Sequence, residues 1–360
     1  MSNLCAEAPQ RSAALFDYVL PEELIAQHPV RLRDRSRLMV LDGDAIAHRS
    51  FSTLPSLLRP DDLLVLNETR VIPARLLGER APGGGRAELL LLHPADSMRY
   101  DSEALRWIAL AKPARRMRCG DRIVFGGLGE ATVRAELADG MREVEFYIDV
   151  AFDEFLERAG RMPLPPYIRN DSLGAQRRYQ SVFARLPGSV AAPTASLHFT
   201  PRLLREIAGR GIEIARLALN VGLGTFRPLA TDSIDEHVMH AESYSIEPEA
   251  ARAIESARVS GRRIVAVGTT VVRALEGNLR EHGRIEAGEH VTNLFITPGF
   301  RFGAVGAMIT NFHLPRSTLL MLVSAFAGRD RVLGAYAQAV ARRYRFYSFG
   351  DAMFVLRLPE

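Results

Sequence analysis

Four of the six histidines in the C-terminal half of the sequence, His198, His237, His240 and His313, stand in segments that could do chemistry. Imidazole is the side chain whose ordinary pKa lets it take up a proton near neutral pH. His198 stands in GSVAAPTASLHFT, residues 188–200, which has neither helical nor strand periodicity and surrounds the ring with small side chains. Small residues admit a ligand close to the backbone, so this stretch is expected to wall a pocket, with Thr194 and Ser196 beside the ligand. His237 and His240 are three apart in DEHVMHAES, next to Glu236 and Glu242. That spacing suits metal ligands or an acid–base pair, but no third ligand is placed by the sequence, so a polar pocket wall is the expected role and no metal is expected. His313 lies in AMITNFHLPRSTLL together with Asn311, ahead of a helix capped by Ser317. Such a loop either lines a pocket or holds a structural histidine.

Two junctions could hold an anion. RRIVAVGTTVVRALEG reads as a strand, then Gly268, Thr269 and Thr270, then a helix; the free N–H groups at such a start attract negative charge, although an ordinary threonine-capped connection would read the same way. In LALNVGLGTFRP, Gly222 and Gly224 follow a strand and Thr225 and Arg227 come next. No GxGxxG is present and no helix opens there, so a dinucleotide fingerprint is not supported. Arginines mix with aromatic residues in RNDSLGAQRRYQ (169–180, with Arg177 and Arg178) and ARRYRFYS (341–348), and arginines crowd RLRDRSR (31–37). These runs suit phosphate contact and base stacking, though solvated helix faces would look alike. MPLPPYIR reads as a rigid extended connector whose Tyr167 either packs or stacks on a base.

The elements that must position these residues follow from pattern. With 360 residues, the chain exceeds the size at which one core stops growing, so two domains are expected. Early on, Pro21 followed by EELIAQ predicts a helix, and Leu38 to Asp42 a strand. From Asp62 to Val150 short apolar runs (LLVLN, RLLGER, AELLLLH, RWIALAK, DRIVFG, TVRAEL, REVEFYIDV) alternate with turn signals, PGGG at 82–85 among them, which reads as a small antiparallel barrel. Beyond it, helical segments interleave with the strand candidates IEIARLALNVG, RRIVAVG and TNLFITPG. The fold class is therefore α/β: a large mixed α/β domain (1–61 plus 151–360) with a smaller inserted antiparallel β-barrel-like domain (62–150).

Lys and Arg number 46 against 42 Asp and Glu, a mild net +4 that neither requires nor excludes nucleic acid. All but one of those cations are arginine. Lys112 is either the residue of an arginine-biased genome or a position needing a compact ammonium. The only cysteines, Cys5 and Cys119, lie far apart with no CxxC, which argues against a disulfide framework and for a cytoplasmic setting. The N-terminal MSNLCAEAPQRSAA lacks the apolar core of a signal peptide, and LLMLVSAFAG is too short to span a bilayer, so no membrane partner is expected.

Taken in order, FDYVLPEELIAQHPVRLRDRSRLMVLD, LLVLNETRVIPARLLG, PLPPYI, YQSVFA, GSVAAPTASLHFT, NVGLGTFRP, HVMHAESY, VAVGTTVVRALE, TNLFITPGFRF, ITNFHLPRSTLLMLVSAFAG and YRFYSFGDAMFV resemble the S-adenosylmethionine:tRNA ribosyltransferase-isomerase family of queuosine biosynthesis. The likeness covers all but about the first thirteen residues and is weakest in the barrel. It departs at Ser196, where the family collar carries glycine, and at Asn220, where a histidine often stands, so position 220 is not expected to be the proton acceptor. The resemblance implies transfer and isomerisation of the ribosyl moiety of S-adenosylmethionine onto 7-aminomethyl-7-deazaguanine at the tRNA wobble position, giving epoxyqueuosine, adenine and methionine. S-adenosylmethionine is then a consumed substrate, no cofactor is needed, and the enzyme is expected to be a monomer.

For that chemistry the expected base, which removes a proton beside the sulfonium, is His198, then His240, then His313. Glu242 or Asp351 would assist adenine departure, and the GTT helix start or Arg227 would hold the methionine carboxylate. Arg70, Arg177, Arg178, Arg316, Lys112 and Tyr167 would touch tRNA, and the three histidines are expected to share one cavity. Two other classes compete. A dinucleotide-fold methyltransferase or dehydrogenase needs a glycine turn and helix after the first strand, where DGDAIAHRS stands instead. A non-catalytic RNA-binding module would leave the small-residue collars unexplained.

Overall fold

The computed structural model describes residues 12–222 and 233–357. Its frame is a nine-stranded mixed sheet in the order Gly288–Thr292, Glu242–Ile246, Glu213–Leu219, Leu63–Asn67, Ile264–Val267, Ala307–Asn311, Ala352–Leu356, Arg37–Asp42, Ala45–Ser50. The four central strands, from Glu213–Leu219 to Ala307–Asn311, run parallel. Leu63–Asn67 reads LLVLN, with all five residues buried, as a strand covered on both faces should. Alternation sorts its side chains: Leu63 and Val65 join the core under helices Pro248–Val259, Thr269–His282, Thr318–Ala327 and Arg329–Ala341, whereas Leu64 and Leu66 join the core under helix Pro201–Gly209.

Six antiparallel strands, Arg75–Ala81, Arg86–Pro94, Arg106–Lys112, Met141–Tyr147, Glu130–Glu136 and Arg122–Val124, form the barrel, which closes where the first pairs with the last. Closure demands a bare backbone at Gly78: a Cβ there would stand 2.7 Å from Ile123 Cγ2 and 2.8 Å from the Val124 carbonyl. Trp107, Leu89, Leu91 and Phe146 point inward, and helix Phe152–Ala159 adds Phe152, stacked on Trp107 at 5.2 Å between centroids, together with Phe155 and Leu156.

Three elements differ from expectation. LLVLN, grouped by its spacing with the barrel runs, is the central strand of the large sheet, because a short two-sided apolar strand carries no mark of which sheet it joins. PEELIAQ forms only a 3-10 turn at Glu22–Leu24, since Ala26 N–H and Phe346 N–H bond to Phe346 O and Leu24 O and hold the chain extended after it. TNLFITPG is not a strand; the neighbouring Gly288–Thr292 takes the sheet edge instead.

Candidate active site

In open α/β sheets ligands settle beyond the carboxyl ends of parallel strands. Here those ends deliver Asn67, Asn220, Gly268 and Asn311 to one place. Asn67, fully buried, ties two of them: its Nδ2 donates to Leu219 O (3.0 Å), and its Oδ1 accepts from Leu219 N–H (3.0 Å) and Thr69 N–H (3.1 Å). Nothing in the sequence pattern singled out Asn67. Gly268, at φ 98° and ψ 151°, turns the chain from strand Ile264–Val267 straight into helix Thr269–His282, a conformation that glycine alone adopts readily.

A cleft opens over these ends. Its walls include Thr194, Ala195, Gly268, Thr269, Thr270, Asn311, His313, Tyr167 and Tyr347. The strand-to-helix junction read from GTT thus faces a cavity with its uncapped helix start. Tyr167 packs against Tyr347 at 4.8 Å between centroids and meets Ser348 Oγ through its hydroxyl (2.6 Å). Tyr347, at φ 69°, holds a left-handed conformation costly for an aromatic residue, a feature no sequence pattern announces. His313 is fixed on two sides: its N–H donates to Tyr336 Oη (2.9 Å), and its Nε2 meets Thr310 Oγ1 (2.6 Å). Burial pushes its imidazole pKa down to about 3, so the ring is neutral.

Across Val221 lies a larger cavity between the barrel and the large sheet. Trp107, Tyr100, Met98 and Met141 supply its apolar side; Asn220, Gly222, His240, Glu242 and Ser243 its polar side. A bonded chain crosses this boundary: Thr69 Oγ1 donates to Asn220 Oδ1 (3.0 Å), Asn220 Nδ2 to Ser243 Oγ (3.3 Å), and Ser243 Oγ to Met98 O (2.8 Å). Glu242 Oε1 accepts from Gly222 N–H (3.1 Å), and its other oxygen from buried Arg273.

The three histidines do not share one cavity. His313 lines the cleft, and exposed His240 lines the larger cavity. His198 is buried behind the cleft wall, stacked on Phe51 (4.9 Å) with Nδ1 on Ser36 Oγ (2.7 Å). Burial lowers its pKa to about 4, opposed by the Asn311 side chain. Of the collar, Thr194 and Ala195 face the cleft, while Ser196 is fully buried away from it. On its other side His198 lines a small hollow with Arg33, Arg178 and Ser348.

Asp351 is 2% exposed and lines neither cavity. Its carboxylate accepts from Arg37 N–H (2.8 Å), Arg37 Nε (3.1 Å) and Arg345 N–H (2.8 Å), which makes it a brace between two distant segments. Glu242, held between Arg273 and Gly222, is likewise arranged as an acceptor. His237 stacks edge-on against Phe295, and among the described residues no three His, Cys, Asp or Glu side chains gather to hold a metal ion. Arg70 is exposed and lies near Tyr100. Lys112 is the exposed last residue of barrel strand Arg106–Lys112, Arg177 is exposed and Arg178 half-buried at the end of helix Leu173–Arg178, and Arg316 has φ 54° with its N–H on Phe16 O (3.0 Å). Gly224, Thr225 and Arg227 lie outside the described residues.

The family model described as "Queuosine biosynthesis protein" matches residues 13–355. The chain belongs to this family. Among relatives in the queuosine biosynthesis family, it is 55% identical over 344 residues to S-adenosylmethionine:tRNA ribosyltransferase-isomerase of Symbiobacterium thermophilum, covering 95% of this chain and 98% of that one. To the Moorella thermoacetica enzyme of the same name it is 54% identical over 345 residues, with the same shares covered. The crystal structure of S-adenosylmethionine tRNA ribosyltransferase from Thermotoga maritima matches with a TM-score of 0.53 and 39% identity, over 95% of this chain and all of that one. Membership in this queuosine biosynthesis family makes the chain an enzyme of the transferase and isomerase class.

Proposed function

We propose that the enzyme transfers the ribosyl moiety of S-adenosylmethionine to 7-aminomethyl-7-deazaguanine at the wobble position of tRNA and isomerises it, releasing adenine and methionine. Beside the family membership, the observation that carries this reading is the pair of cavities adjoining at Val221, one over the strand ends and one against the barrel. A reaction that joins a nucleoside to a base needs two binding sites in contact. S-adenosylmethionine would occupy the cleft, with its methionine carboxylate at the Gly268–Thr270 helix start, where free N–H groups and the helix dipole favour an anion. Its adenine would lie against Tyr167 and Tyr347. The deazaguanine would enter the larger cavity, flanked by Trp107 and Tyr100.

His313 is the base in this reading, in place of His198, because it alone of the two lines the cleft. A neutral imidazole has a lone pair ready for the proton next to sulfur. Taking that proton leaves the C–H electron pair on carbon as an ylide beside the still positive sulfur and makes the ring imidazolium, so the net charge of the cleft is unchanged and the burial that opposes protonation of the empty site is not imposed twice. Asn311 completes the wall between His313 and His198. The labour would divide between a discontinuous α/β catalytic domain and the barrel-like domain, and the enzyme would act as a cytoplasmic monomer, where tRNA and S-adenosylmethionine are found. Incubation with S-adenosylmethionine and tRNA bearing the deazaguanine should release adenine in step with tRNA modification. Methyl transfer to tRNA, or binding without release, would refute the reading.

A further inference from the structure

The three arginine-rich runs of the sequence are far apart in the chain and meet in the fold. Arg178 donates to Val30 O (2.8 Å) and Arg31 O (3.1 Å), and Arg33 to Gln180 O (2.8 Å), which joins 28–37 to 169–180. Arg37 donates to the carbonyls of Arg342 (2.9 Å) and Arg343, and Arg345 to that of His28, which joins both to 342–351. These segments hold ten arginines and three aspartates, seven positive charges in surplus, whereas the whole chain carries only +4. The rest of the molecule is therefore acidic on balance, and the positive charge is concentrated here.

The partners of these arginines sharpen the contrast. In the barrel, Arg75, Arg106, Arg122 and Arg134 each pair with a glutamate. On the joined face, Arg33 and Arg178 bond to neutral carbonyls, which fix a guanidinium without cancelling its charge. Burial, and then Arg178, hold Arg33 down to about 10, as crowded like charges do. Exposed Arg31, Arg35, Arg177 and Arg342 have no carboxylate within ion-pair reach among the described residues. All three aspartates are already bound, Asp34 to Arg202, Asp171 to Arg75 and Asp351 to Arg37, while Arg169 and Arg343 reach Glu22 and Glu23. A small hollow on this face, edged by Arg33 and Arg178, shares Ser348 with the cleft.

We infer that this joined arginine face is the track for the phosphate backbone of the RNA substrate, holding the strand whose base enters the adjoining cavities. The inference rests on the proposed tRNA reaction and deepens it by assigning the docking surface. Fixed guanidiniums with uncancelled charge are the chemistry that phosphate diesters require.

The test uses the full-length enzyme with Arg31→Ala, Arg35→Ala, Arg177→Ala and Arg342→Ala combined. Among the described residues these exposed side chains make no ion pair whose loss would disturb the fold, and binding of S-adenosylmethionine by calorimetry should stay unchanged. Association with tRNA is measured between about 50 and 250 mM salt. Each lost phosphate contact flattens the plot of log K against log salt by about 0.7–0.9, so the slope should fall by about 3. The four lysine replacements, which keep the charge, should retain most of it. A slope within about one unit of wild type overturns the inference, as does loss of binding to polyglutamate while tRNA binding is untouched. Adenine release by the wild type is read separately: tRNA bound through this face without adenine release would sink the reaction and leave the docking surface standing.

Discussion

Removal of the Glu242 carboxylate is the perturbation whose cost follows most directly from the structure. The Glu242 and Arg273 side chains are 3% and 4% exposed, so each charge is out of water and depends on the other. Arg273 has few alternatives: Nε donates to Leu294 O (3.0 Å), and Nη2 is buried without a partner. Glu242→Ala would leave that guanidinium with one neutral acceptor and would also free the Gly222 N–H. Breaking a buried pair from one side costs about 3–5 kcal/mol, and the half-buried N–H adds little because water can reach it. Glu242→Gln isolates the charge, since it keeps an acceptor for Gly222 and leaves the cation uncompensated; most of the loss should remain. Urea unfolding followed by far-UV circular dichroism measures all of this, because nearly all helices belong to the large α/β layer. Glu242→Ala combined with Arg273→Met should recover much of the stability, as apolar replacements of buried pairs do. A cost below about 1 kcal/mol for Glu242→Ala, or a double variant no better than the single, would refute the view that this pair is an interdependent buried unit.

Three further outcomes are expected. Both buried histidines have depressed pKa values, about 4 for His198 and about 3 for His313, so below the unfolded value of about 6.5 the unfolded chain binds protons that the folded one refuses. Their share of stability is therefore intact above that pH and declines as pH falls towards 4, by about 1.4 kcal/mol per pH unit for each ring; His198→Gln and His313→Gln should each flatten the measured slope by one proton. Gly268→Ala forces φ 98° on a residue with a Cβ and should cost about 1–3 kcal/mol, with weaker S-adenosylmethionine binding in calorimetry; unchanged affinity would remove the helix start from the site. Gly78→Ala puts a methyl 2.7 Å from Ile123 and should destabilise the barrel by about 1–3 kcal/mol, read by the fluorescence of Trp107, the only tryptophan.

Local signals were legible and non-local ones were not. IVAV followed by GTT announces strand, turn and helix because each residue's preference is satisfied within a few positions of itself, and the structure has that junction facing a cleft. The barrel runs were readable for the same reason, since alternation and turn residues recur at short spacing. LLVLN was misassigned because its neighbours, Glu213–Leu219 and Ile264–Val267, lie far along the chain. The pattern around His198 is ambiguous, because small residues around a ring describe a packed imidazole against Ser36 and Phe51 as well as they describe a binding wall. Asn67 and Tyr347 went unnoticed: one acts through partners distant in sequence, the other through a backbone angle. The arginine runs were visible singly, but only the fold brings them together.

The position of Leu63–Asn67 has a consequence for synthesis on the ribosome. The polypeptide emits this fully buried inner strand early, then must produce the complete barrel before either flanking strand exists. The barrel can finish meanwhile, since all its strands fall between Arg75 and Arg161. Throughout that interval LLVLN has two unfilled edges and two greasy faces, the features that recruit neighbouring nascent chains. Translation speed across residues 68–212, and chaperone occupancy of that one pentapeptide, should therefore govern the yield of active enzyme more than any surface substitution does.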